Sequence, residues 1–235
     1  MKQLSFLILL ISCSSFSQDK DALLWTGVGA DLDLTKKISL EFEGQARFKE
    51  NMSQFNQIYG ELGAAHDLMY GFKTGLAYRY SRKFNGDYYY NDNRFCIDVV
   101  HKYKTEFGLD FSTRLRFQHS FDRLTEVNYI LPSTANTLRL SFKTSYKHKD
   151  FKRVQPFAGF ELFHAIQPKN QYSFIDTYRI KAGINLDLPK RHGFKLYYIY
   201  ENEYRASDNH NHIYCIQYNY SFKLPKKNKN SDNKN

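Results

Sequence analysis

The side chains of this sequence able to do chemistry form a recurring set of mixed sign: Glu41, Glu43, Arg47, Glu61, Arg79, Asp98, Arg114, Arg116, Arg139, Glu161, Arg179, Glu201 and Glu203. They keep to one phase of a period-two pattern whose other phase is apolar. Successive side chains of a strand point to opposite faces, so these residues collect on one surface of a sheet. If that surface lines a barrel, two readings are open. Charges withdrawn from bulk water need partners, which gives an interior knit by ion pairs. The same charges would otherwise line a polar pore and tune its ion selectivity. In a barrel of about ten strands, long side chains largely fill the lumen. A packed or very narrow interior is therefore the first expectation and a conducting pore the second.

Other constellations are weaker. Asp208-Asn209-His210-Asn211-His212 supplies an Asp-His pair in a late loop. Asp208 and His210 would suit a barrel-rim hydrolase of the omptin protease kind, but Asp87 and Asp92 are the only counterparts for its acidic pair. His119-Ser120 is adjacent rather than alternate, so the two side chains point opposite ways and make a poor lipase pair. His210 and His212 are two metal-ligand types without a third. Cys96 and Cys215 lack any Cys-x-x-Cys context and read as unpaired lumen fillers. No phosphate loop, nucleotide fingerprint or repeat is visible. The expectation is a non-enzymatic protein with no cofactor and no metal.

The elements that position the charges are long strands. Lys37 to Lys49 puts Ile38, Leu40, Phe42, Gly44, Ala46 and Phe48 on one side and polar residues on the other. At roughly 3.3 Å per residue this segment spans about 40 Å, far beyond a common strand. The pattern repeats down the chain, for example with Leu109, Phe111, Thr113, Leu115 and Phe117 against Asp110, Ser112, Arg114, Arg116 and Gln118. Connections alternate short and long, with the polar loops at 83–91, 119–135 and 205–211. Apolar outside and charged inside reverses a soluble barrel. Abundant aromatics, 19 Tyr and 20 Phe, fit interfacial girdles. These features predict an all-β transmembrane antiparallel up-and-down β-barrel of 10–12 strands, with short periplasmic turns and longer extracellular loops. Eleven strands are countable, whereas bacterial single-chain barrels are even-numbered. Either the Trp25 strand stands outside the wall or one more strand hides in 119–135.

Residues 1–18 read as a secretory signal peptide, with a basic start, an apolar Leu4–Ile11 core and a small-residue end. Cleavage near Gln18 is expected; Leu10-Ile11-Ser12-Cys13 as a lipid-attachment box is the variant reading. The barrel would occupy 19–224 and a basic polar tail 225–235. That tail carries part of the net charge of +10 and reads as a solvated end, so nucleic acid is not an expected partner. Outer-membrane lipid is expected as a partner, with small ions or solutes in second place.

The chain resembles a bacterial outer-membrane barrel family, domain of unknown function 2490. The residues that carry the resemblance are Trp25, the Leu40-Glu41 to Arg47 strand, Tyr78-Arg79-Tyr80, Arg114-Leu115-Arg116 and Arg139. Pro156 through Glu161-Leu162-Phe163, Arg179 with Gly183, and Tyr198 to Glu201 continue it. The resemblance spans most of the mature chain. It implies a barrel in the outer membrane and brings no activity. The expectation is therefore a porin-like small pore, or a structural or interaction barrel. A rim hydrolase is the rival, and a soluble periplasmic β-protein the third class.

Overall fold

The computed structural model describes residues 21–84, 86–123, 134–149, 153–166, 175–204 and 209–223. Eleven strands form one closed barrel: β1 (Ala22–Asp33), β2 (Ile38–Lys49), β3 (Gln54–Asp67), β4 (Phe72–Phe84), β5 (Tyr89–Lys104), β6 (Leu109–Arg123), β7 (Thr134–Tyr146), β8 (Val154–Ala165), β9 (Thr177–Asp187), β10 (His192–Glu203) and β11 (Asn209–Lys223). Each consecutive pair is antiparallel.

The strand count corrects the even-number expectation. In an up-and-down wall of odd number, the first and last strands run the same way, so the closing pair must be parallel. β1 and β11 close as a parallel ladder from Ala22 opposite His212 to Asp33 opposite Lys223. Parallel pairing is slightly weaker per residue, and this ladder is as long as the neighbouring antiparallel ladder between β10 and β11. Trp25 thus belongs to the wall. The strand expected within 119–135 has no counterpart in the described residues. β6 runs on to Arg123 and β7 starts at Thr134, and 124–133 lie outside the described residues. The flanking strands also take residues from the other long loops, leaving 85–88 and 204–208 as connections.

The short turns gather at one end. Gly71 (φ +79°) and Gly108 (φ +85°) close two of them, and a Cβ at either would overlap the carbonyl oxygen of Lys102 or Lys147. Instead, Lys102 N–H donates to the Gly71 carbonyl at 2.9 Å and Lys147 N–H to that of Gly108 at 2.8 Å. The turns thereby extend the ladder to the next strand.

The outer face is a continuous apolar belt, with Val28, Phe42, Leu62, Leu76, Ile97, Leu115, Phe142, Phe160, Ile180, Leu196 and Ile216 all exposed around the wall. A soluble monomer rarely exposes apolar patches of such extent. Rings flank the belt at both ends. Near the turns, His192 lies 5.9 Å from Tyr218 and Phe72 4.5 Å from His101. Near the loops, Tyr78 lies 5.0 Å from Phe95 and Tyr198 5.6 Å from Tyr214. Amphipathic rings at these two levels suit the headgroup zones of a bilayer. This is an outer-membrane-type barrel.

Candidate functional site: the charged interior

Inward side chains are sorted by size along the strands. Near the turns, Gly63, Ala65, Gly75, Ala77, Ser112 and Gly159 leave room, and a cavity of about 980 Å³ occupies this half and the barrel's middle, reaching Gln57, Lys83 and Arg94 in the loop-side halves of β3, β4 and β5. Toward the loops the interior fills. The most deeply buried side chains, Ser81, Asp92, Ile199 and Ile213, all lie in loop-side halves of their strands. Trp25, Ile199, Ile213 and Cys215 form an apolar cluster there, joined by Leu23 and Tyr197.

Two carboxylates organise the ion pairs. Glu61 on β3 takes Arg79 from β4 at 2.6 Å and Arg116 from β6 at 3.2 Å. Arg116 in turn grips Asp98 on β5 through two 2.7 Å hydrogen bonds. The Glu61–Arg116 contact passes over β4 and β5, so it ties strands that are not neighbours in the wall. Glu161 on β8 is bonded by Arg139 of β7 and lies 2.8 Å from Lys181 of β9. Arg114 and Arg179 stand 4.0 Å from it, and the Ser141 hydroxyl donates to it at 3.2 Å. Arg179 also pairs with Glu201, which accepts from Asn211 Nδ2 at 3.1 Å. Such pairing answers the desolvation of the charges.

Between these pairs, guanidinium groups and rings alternate. Arg79 lies over Tyr59 at 3.8 Å, and Arg47 lies 5.1 Å from the same ring and 3.8 Å from Trp25. Arg179 stands 5.4 Å from Trp25 and 4.6 Å from Phe163, which Arg139 also faces at 5.0 Å. β10 and β11 separate β1 from β9 in the wall, so the Trp25–Arg179 step bridges these two strands on the inside. Tyr59 additionally donates its hydroxyl to Glu43, and Arg47 donates to Gln45 at 2.7 Å.

The family described as "Protein of unknown function (DUF2490)" matches residues 22–212. The chain belongs to this family. Among solved structures, the DUF2490 barrel is similar to the beta domain of the Bordetella autotransporter BrkA. The TM-score is 0.47 at 13% identity, covering 77% of this chain and 81% of that one. It is also similar to the translocator domain of autotransporter NalP from Neisseria meningitidis, with a TM-score of 0.44 at 11% identity, covering 77% and 72%. A comparison with curated proteins finds no match.

Of the charged set named from the sequence, Glu41, Glu43, Arg47, Glu61, Arg79, Asp98, Arg114, Arg116, Arg139, Glu161 and Arg179 line the cavity of the DUF2490 barrel. Glu201 is buried above it, and Glu203 is half-buried at the loop end of β10, apart from the cavity. Asp208 lies outside the described residues. His210 belongs to β11 and faces outward, where its ring stacks on Tyr200 at 5.8 Å and its Nδ1 meets the Tyr200 hydroxyl at 2.8 Å. That places it on the aromatic girdle, away from the lumen. His119 likewise faces outward against Asn136 at 2.8 Å, while Ser120 accepts from Arg94 at 2.8 Å inside. Cys96 and Cys215 are buried free thiols. Among the described residues, no group of three or more His, Cys, Asp and Glu is placed to hold a metal ion.

Two features escaped the charge pattern. The rings of Tyr59 and Phe163 were visible only as inward aromatics, and nothing local says which guanidinium groups they join. The inward lysines Lys102, Lys143, Lys181 and Lys195 stand in the same phase as the arginines, and that phase was the signal for them.

Proposed function

We propose that this chain is a non-enzymatic outer-membrane barrel, closed toward its loops and open toward its turns as a polar vestibule. In this reading, residues 1–18 direct export and are removed. The belt then sits in outer-membrane lipid, and the short turns face the periplasm. The single observation that carries the closed reading is the guanidinium–aromatic series that runs inside the wall from β4 to β1 and on to β9, β8 and β7, bridging β10 and β11. Its groups are held by ion pairs at several points, so it is a built partition and not a chance narrowing. A structural or interaction role, with the loops as the external contact surface, follows from a closed lumen more readily than constitutive conduction.

Conductance in a planar bilayer tests this. Refolded protein whose fold is verified by heat-modifiable migration should give no discrete current steps. The variant Arg47→Ala/Arg179→Ala should give them, because it removes both guanidinium groups that contact Trp25. Discrete steps from the wild type would restore the small-pore reading.

A further inference from the structure

Fourteen Arg and Lys face the cavity against seven Asp and Glu, and the acids are unevenly spent. Glu61, Asp98 and Glu161 serve the arginines and Lys181 as described, while Glu41 holds Lys73 at 2.9 Å. Glu43 accepts from Tyr59, and Asp187 accepts from Gln155 at 2.6 Å. This leaves a patch of cations on the β5–β6–β7 side and opposite it. Lys102 and Lys143 flank Ser112 in register, with Arg114 two residues farther along β6 and Lys195 on β10. The charged groups acting on Lys143 are Lys195, Lys102 and Arg114, and none is acidic. The Lys143 ammonium has the Phe157 ring at 4.5 Å. Lys195 reaches Gln217 only at 3.5 Å. Arg114 has Glu161 no nearer than 4.0 Å. Lys195 also feels Glu43 and Asp31, neither within ion-pair distance among the described residues.

We propose that this patch is a binding site for a small multivalent oxyanion, such as a phosphate-bearing solute, entering from the turn end. Four cations with one interposed hydroxyl repel one another in a partly desolvated cavity, and an anion of two or more charges relieves that repulsion. Lysine serves phosphate as a mobile point charge. The volume of about 980 Å³ falls within the span of small-molecule sites. Lys102 is exposed at the mouth and Lys143 and Lys195 are partly buried, so the patch leads inward. The site requires the vestibule but not closure of the loop side, so it stands apart from the conductance result.

The test is calorimetric titration of pyrophosphate into the refolded full-length protein in zwitterionic detergent, at fixed ionic strength and free of anionic lipid. Pyrophosphate should bind saturably. Lys143→Gln/Lys195→Gln should weaken it at least about tenfold, since both substitutions remove a cation that would face the bound anion. Lys49→Gln, at the loop end of β2, should leave it unchanged. Lys102→Gln alters an exposed residue and should also weaken binding, which keeps the test decisive if the double variant does not refold. Lys143→Arg should retain binding. Absence of saturable heat with heat-modifiable wild type overturns the proposal, as does equal affinity in Lys49→Gln, Lys102→Gln and the double variant. Wild-type conduction together with pyrophosphate binding would overturn the closed reading and leave this site in place.

Discussion

Arg47 lies over Trp25, 3.8 Å from guanidinium carbon to ring centroid, and the two are direct register partners on β2 and β1. The ladder between β1 and β2 sets this pair directly. Arg179 then reaches the same indole from β9, over β10 and β11. Trp25 is the sole tryptophan and is buried inside the wall, which makes it a reporter of the partition. Acyl-brominated lipid should leave its emission nearly unchanged, whereas a lipid-facing indole would be strongly quenched. Arg47→Leu should shift the emission and cost about 0.5–2 kcal/mol, the range of a cation–π contact. Strong quenching in the wild type would mean that β1 is turned the other way.

Glu161 is the most heavily used carboxylate of the interior. Its neighbours Arg139, Lys181, Arg114 and Arg179 come from three strands. Neutralising it leaves cations in a buried site with nothing between them. Glu161→Gln should therefore destabilise by about 3–5 kcal/mol, as expected when one partner of a buried pair is removed. Glu41→Gln disrupts a pair whose acid is about half exposed and should cost no more than about 1 kcal/mol. Urea unfolding midpoints in detergent check both. Equal small effects would mean that water reaches Glu161 freely.

Strand phase explains what the sequence made legible. The alternation of Leu109 to Gln118 assigns each residue to a face without reference to any other strand, and those faces agree with the observed burial. Closure is not local. The parallel β1–β11 seam depends on total strand number, which no single segment records. The partner of each charge is also non-local, since Arg116 finds Glu61 by crossing two strands. His210 is the instructive case. Read as a loop residue, it looked like half of a catalytic pair. Counting back by twos from the outward Tyr214 puts His212 and then His210 on the outer face, where Tyr198 and Tyr200 await them. The sorting of small inward residues toward the turns was also present in the sequence, at Gly63, Gly75 and Gly159. It gains meaning only once the strands are aligned around a common lumen.

The apolar belt makes a directional prediction about the outer face. Ile180 lies outward near the middle of β9 and is half exposed. Ile180→Arg should lower folding stability in lipid vesicles by about 2–4 kcal/mol, the midplane cost for a basic residue on a barrel. Met69→Arg, in the exposed β3–β4 turn, should be nearly neutral. In a soluble barrel the belt position would accept arginine without loss and would gain solubility. The ranking of these two variants therefore separates the membrane reading from the soluble one.

The seam can be tested by chemistry that depends on register. Val28 and Tyr218 are paired across β1 and β11 and both point outward. Adjacent strands lie about 4.7–4.9 Å apart, within the Cα separation that a disulfide spans. In a Cys96→Ser/Cys215→Ser background, Val28→Cys/Tyr218→Cys should oxidise to an intramolecular disulfide in the folded barrel. Val28→Cys/Phe222→Cys, displaced by four residues along β11, should not. The link should raise resistance to unfolding, because β1 and β11 are joined by no connecting loop and closure between them is the step with the longest sequence separation. An even-numbered barrel would pair these strands antiparallel, and a second outward pair would expose that. In the parallel seam, Leu24→Cys/Tyr214→Cys and Val28→Cys/Tyr218→Cys both cross-link. An antiparallel seam that satisfied one of these pairs would carry the other out of reach, so linkage of only one would overturn the eleven-stranded closure.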